Sequence, residues 1–119
     1  MDKCSPLRMF VSEWASYLEQ HGHKVEESSK APDMLLSRNG RGKLYRWLLR
    51  YVEGDSVLLT VVDRKRIRRQ LRLARISGET VYMVVKFEEP SGKVLVLPAS
   101  EAVKVKRLSS DKGGIPWHR

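Results

Sequence analysis

Cysteine is almost absent: Cys4 is the only one in the 119-residue chain, which excludes an intrachain disulfide. Cys4 with His21, His23 and His118 matches no zinc-ligand spacing. His21 and His23 stand where a helix would end, a place where solvated or capping histidines are common. Long hydrophobic runs are also missing. No stretch approaches the roughly 20 apolar residues that a membrane helix requires, and no membrane partner is expected. The opening Met1-Asp2-Lys3-Cys4-Ser5-Pro6 is polar and leads straight into an amphipathic segment, so the expected address is the cytoplasm. Acidic residues are scarce, 14 Asp and Glu against 23 Lys and Arg, for a formal charge of +9 and a pI near 10.0. Such a surplus attracts polyanions, and only the placement of the charge can say which. With 41% hydrophobic residues, no internal repeat and no linker, the chain reads as one domain over 1–119, ending in a basic tail at 107–119.

Ser5-Pro6 has the form of a helix start, with serine as cap and proline in the first helical position. Leu7, Phe10, Val11, Trp14, Tyr17 and Leu18 follow at helical spacing and Gly22 supplies a stop, which predicts a helix over 6–21. Its aromatic stripe belongs to a core. Lys24 to Ser29 alternates weakly, as a short strand would, and Pro32 then breaks the chain. Residues 33–38 form the next expected strand. Asn39-Gly40-Arg41-Gly42 is turn chemistry, and the aliphatic and aromatic run 44–52 completes a hairpin. Val57 to Val62 is ambiguous between a strand and a helix start, whereas 63–76 favours a helix ended by Ser77-Gly78. Val81 to Phe87 is almost continuously apolar, as in a strand covered on both faces. Glu88 to Gly92 turns the chain into a last strand over 93–98. The order helix, three strands, helix, two strands predicts an α/β domain with one mixed sheet flanked by two helices.

The charge is concentrated in two places. On the second helix Lys65, Arg68, Arg72 and Arg75 recur at spacings of three, four and three, flanked by Arg64, Arg66 and Arg69. Like charges so spaced repel and cost helix stability. That cost, the one-sidedness and the overall surplus favour phosphate contact over a merely solvated face. The hairpin carries a second set: Arg38, Arg41, Lys43, Arg46 and Arg50. Trp47 and Tyr45 lie among them and are assigned to the sheet rather than to base stacking. The glycines of the turn match no phosphate-cradling loop.

Pro32-Asp33 follows an extended stretch and precedes an apolar strand, a place from which aspartate can hold a divalent metal beside a phosphate. The element order, Ala31-Pro32-Asp33 entering Met34-Leu35-Leu36, and the later Leu71-Arg72-Leu73-Ala74, Ser77-Gly78 and Tyr82-Met83-Val84-Val85-Lys86-Phe87 resemble the PD-(D/E)xK nuclease superfamily. Within it they are most similar to the archaeal-type Holliday junction resolvases, over most of residues 7–103. The resemblance implies a restriction-endonuclease-like fold of order α-β-β-β-α-β-β, a DNA partner, Mg²⁺ chemistry where cleavage survives, and a symmetric homodimer. It makes Asp33 the metal-binding aspartate. The superfamily's second motif, an acid, a spacer and a lysine, falls at Leu48-Leu49-Arg50. Leucine cannot coordinate a cation, and arginine stays charged and cannot act as a base. A displaced copy of the motif is Asp63-Arg64-Lys65, which would require 57–62 to be the strand. Glu13 and Glu19 are the candidates for the early-helix acid.

The expectation is therefore a DNA-binding protein with doubtful cleavage. It would contact phosphates through Arg38, Arg41, Lys43, Arg50, Arg64, Lys65, Arg68, Arg69, Arg72 and Arg75. One alternative is an active Mg²⁺-dependent endonuclease using Asp33, Asp63 and Lys65. Another is an RNA-binding or ribosome-associated basic protein, for which charge alone would suffice.

Overall fold

The computed structural model describes residues 5–27, 31–88, 93–110 and 115–116. Cys4, Ser28-Ser29 at the end of the first expected strand, the turn at 89–92 and most of the tail beyond 110 lie outside the described residues. Helix α1 is Pro6–Gln20. Ser5 Oγ accepts the Arg8 N–H at 3.1 Å, satisfying a donor that has no partner inside the helix. Strand β1 is Lys24–Glu27, β2 is Met34–Arg38 and β3 is Leu44–Val52. The β2–β3 turn is set by Asn39, whose Oδ1 accepts the N–H groups of Arg41 and Lys43, both at 2.9 Å. Gly42 completes it at φ +84, which a side chain would resist.

The ambiguous stretch resolves into both of its readings. Ser56–Leu58 is a short strand, β4, and helix α2 spans Val61–Ser77, starting two residues before the expected Asp63. Thr60 is the reason. Its Oγ accepts the Asp63 N–H at 3.1 Å while the Asp63 carboxylate accepts the Thr60 N–H at 2.9 Å. This reciprocal cap fixes the first turn of α2. Gly78 ends it in the left-handed region at φ +73 and leads directly into β5, Glu79–Phe87, which also begins earlier than expected. Strand β6 is Lys93–Pro98, followed by the short helix α3 at Ala99–Ala102, β7 at Arg107–Ser109 and β8 at Ile115–Pro116. The basic C-terminal segment expected at 107–119 begins with a strand. β7 pairs antiparallel with β4, and Leu108 is buried in the core.

The main sheet has the order β1-β2-β3-β5-β6-β8, with β3 and β5 parallel and every other pair antiparallel. A parallel pair needs a long crossover, and α2 supplies it. Helix α1 covers one face: Phe10, Val11, Trp14 and Leu18 pack on Leu35, Trp47, Leu49 and Val84. Helices α2 and α3 cover the other, where Ile67 and Ala74 meet Met34, Leu48, Val52, Met83 and Val85. Successive strand residues alternate between these faces. Arg46, Leu48, Arg50 and Val52 consequently lie on the α2 face, while Lys86, between the α2-face residues Val85 and Phe87, lies on the α1 face.

Candidate nucleic-acid interface and the Asp33 site

Asp33 is the last residue before β2, and its carbonyl accepts the Leu49 N–H at 2.8 Å. Register pairs Met34 with Leu48, so Leu48 and Arg50 stand at the Asp33 end of β3. Leu48 is buried in the α2-side core. The Asp33 carboxylate is gripped by both terminal nitrogens of Arg66 in a short, parallel, bidentate pair. Its neighbour Arg50 turns to Asp63, with Nη1 3.0 Å from Oδ1. Three of the residues singled out in the sequence, Asp33, Arg50 and Asp63, are thus brought together, with Arg66 joining them.

The electrostatics are mutual. Burial works against the charge of Asp63, but the hydrogen bonds from Thr60 and then the charge of Arg50 outweigh it, holding the carboxyl below its usual range. For Arg66 the Asp33 hydrogen bonds dominate. They outweigh the effect of burial, are reinforced by the charges of Asp33 and Asp63, and push the guanidinium up. Both carboxylates therefore act on one guanidinium. Each also has a partner of its own: Asp63 its helix cap and Arg50, Asp33 the Arg66 fork. Lys65 does not join them, being exposed on the outer side of α2. Among the described residues no three His, Cys, Asp or Glu side chains gather as metal ligands. Glu13 is elsewhere: its carboxylate takes the Lys86 ammonium at 3.1 Å on the α1 face of the sheet.

One edge of α2 explains why Arg66 was not singled out. Asp63, Arg66 and Gln70 lie at i, i+3 and i+7 and so share a helix edge. They meet Arg50, Asp33 and Arg46 respectively. Arg46 also donates through Nε to Glu79 at 2.6 Å. The hairpin's basic set is accordingly split. Arg46 is tied inside the fold, and Arg50 stands at the Asp33 end. Only Arg38, Arg41 and Lys43 remain at the turn, roughly 16 Å of strand away from Asp33 at about 3.3 Å per residue. Among the described residues, none makes an ion pair with Arg38 or Arg41, and Lys43 Nζ lies 5.4 Å from the centre of the Tyr45 ring.

On α2, Lys65, Arg68, Arg69, Arg72 and Arg75 are exposed and Arg64 half-buried, none paired with a described acid. They form the cationic outer surface expected from their spacing, interrupted by exposed Val62, Leu73 and Ile76. α2 runs back toward the start of β5, and Glu79 pairs with Leu44. Arg72 and Arg75 therefore approach the same end of the sheet as the β2–β3 turn. Cations of the helix and of the turn share one end of the molecule.

That end is fastened by a buried serine. Ser37 Oγ accepts the Trp47 Nε1–H at 2.8 Å and lies 2.9 Å from His23 Nδ1. With one lone pair taken by tryptophan, the serine hydroxyl keeps a second lone pair and its proton, and it accepts from or donates to Nδ1 according to the imidazole tautomer. Burial, and next the charge of nearby His21, lower the His23 pKa below 6.5. A histidine held neutral in the fold contributes stability fully present above pH 6.5 and lost as pH falls through its lowered value. NMR titration should find His23 less basic than an unfolded-chain histidine, with the unfolding free energy declining over the same interval. A His23 titrating at or above 6.5 would show that this link is not made.

The fold is the restriction-endonuclease-like α/β fold, with its mixed sheet between helices and its α2 crossover. Among solved structures it is similar to that of Hjc from Archaeoglobus fulgidus, a Holliday junction resolvase from an archaeal hyperthermophile. The TM-score is 0.68 at 16% identity, over 94% of this chain and 92% of that one. No protein-family model and no curated protein matches the sequence.

Proposed function

We propose that this chain is a cytoplasmic nucleic-acid-binding protein, built on the resolvase-like nuclease fold, that holds DNA by its phosphates without cutting it. The observation that carries the reading is the outer surface of α2. It presents Lys65, Arg68, Arg69, Arg72 and Arg75 unpaired with any described acid, at a cost in helix stability that phosphate contact would offset. The turn residues Arg38, Arg41 and Lys43 extend this surface. Duplex and four-way junction DNA are both reasonable ligands, the second because the similar structure is that of a junction resolvase. A symmetric homodimer fits the same analogy, and its mass is measurable by light scattering alongside the binding assay.

Binding to phosphates releases counterions, so affinity should fall steeply with salt and depend little on sequence. Replacing Arg68 and Arg72 by alanine should flatten the plot of log K against log salt by about 1.8, at roughly 0.9 per phosphate contact. Fluorescence anisotropy with labelled duplex measures this directly. Unchanged affinity and slope in a variant with an intact circular dichroism spectrum would remove α2 from the binding surface.

A further inference from the structure

The cluster at Asp33 has the residues of a metal site and the charge arrangement of an anion site. We propose that Arg50 and Arg66 form a metal-independent seat for one phosphodiester group of the nucleic-acid backbone, held in place by Asp63 and Asp33. The proposal rests on the nucleic-acid-binding reading above and deepens it.

Three observations support it. First, the arginines are the more exposed members: the side chain of Arg66 is 51% exposed and that of Arg50 35%, against 20% for Asp33 and 24% for Asp63. Second, donors are left over. A guanidinium carries five N–H groups; Asp33 takes two from Arg66, and Asp63 engages one terminal nitrogen of Arg50. The spare donors are arranged in rigid forks, the shape that matches two oxygens of a phosphate. Third, the carboxylates fix these long side chains beforehand, so a ligand need not order them.

The local charge points the same way. Within the quartet two positive and two negative groups cancel, but Arg69, one turn along α2 from Arg66, is exposed and unpaired with a described acid. A divalent cation would have to break both ion pairs and settle among three arginines. An anion meets no such barrier.

Anisotropy with a labelled DNA duplex across a salt series tests the proposal, in EDTA and in Mg²⁺ at matched ionic strength. Wild-type affinity should be the same in both. Arg50→Ala with Arg66→Ala should lower the salt slope by about 0.9, the value for one phosphate. Because that variant also uncovers two carboxylates, the deciding protein adds Asp33→Asn and Asp63→Asn, restoring the wild-type net charge. The seat requires the reduced slope to persist in this fourfold variant, and Arg50→Lys with Arg66→Lys to keep the slope while losing several-fold in affinity. Recovery of wild-type slope and affinity in the fourfold variant would overturn it, since the arginines would then merely neutralise the aspartates. Binding abolished by EDTA would also overturn it. A wild-type protein with no salt-dependent duplex binding would instead sink the nucleic-acid reading, and the seat with it.

Discussion

Duplex, single-stranded and junction DNA incubated with Mg²⁺ or Mn²⁺ should remain uncut by this protein, at rates at least about a thousandfold below those of a metal-dependent nuclease. The scale follows from what a positioned metal contributes, several kcal/mol of transition-state stabilisation, at about 1.4 kcal/mol per tenfold in rate. Three features of the site remove that contribution. Leu48 occupies the β3 position beside Asp33 and is buried in the core, so it offers no oxygen. Asp33 already accepts both nitrogens of the Arg66 fork. Asp63 is committed to the Thr60 cap and to Arg50. A single carboxylate holds a hydrated Mg²⁺ only loosely and does not fix it in line with a phosphate. Parallel assays of Asp33→Ala, Asp63→Ala and Lys65→Ala should show no loss, there being no activity to lose. DNA binding by Asp33→Ala should survive, since the loss of a negative charge near the phosphate offsets the looser hold on Arg66. Robust cleavage abolished by each of the three changes would establish the displaced site. Cleavage abolished only by Asp33→Ala would put the partner ligand elsewhere, with Glu13, Glu19, Glu26 and Glu27 next to be tested.

The features legible in the sequence are those governed by local rules. Helix α1 follows from Ser5-Pro6 and the spacing of Phe10, Trp14 and Leu18, and the hairpin follows from Asn39 and Gly42. Both depend on residues within a few positions of one another. The start of α2 was less legible, because Thr60 and Asp63 cap each other, and Asp63 also begins a segment that matches an acid-spacer-lysine motif by letter. A cap and a catalytic motif use the same carboxylate, and only the Thr60 hydroxyl distinguishes them. What stayed hidden is the pairing of charges across the fold. Arg66 and Asp33 are 33 positions apart, as are Arg46 and Glu79. In one dimension Arg66 is another member of a cationic stripe and Arg46 another hairpin cation. The i, i+3, i+7 spacing of Asp63, Arg66 and Gln70 was the available signal that one edge of α2 faces the sheet.

Arg46 should be among the costliest single side chains to remove, although it takes no part in the proposed interface. It lies on β3 between the sheet and α2, donating to Glu79 Oε1 and to Gln70 Oε1, each at 2.6 Å. Arg46 and Glu79 side chains are both only 12% exposed, so water can do little to replace either partner. These contacts join β3, the start of β5 and the middle of α2, the three elements of the parallel crossover. Truncation to Arg46→Ala leaves the Glu79 carboxylate largely buried without its cation, and removing one member of such a pair costs about 3–5 kcal/mol. The intact pair itself is worth far less, because burying both charges already carries a desolvation penalty. Arg46→Met combined with Glu79→Leu should therefore regain most of the loss, with apolar volume in place of two charges. Urea denaturation of the wild type, Arg46→Met, Glu79→Leu and the double variant closes the cycle and measures the coupling. Single variants within about 1 kcal/mol of wild type, the range of an exposed ion pair, would show that water reaches this pair and that the crossover is held by its apolar core alone.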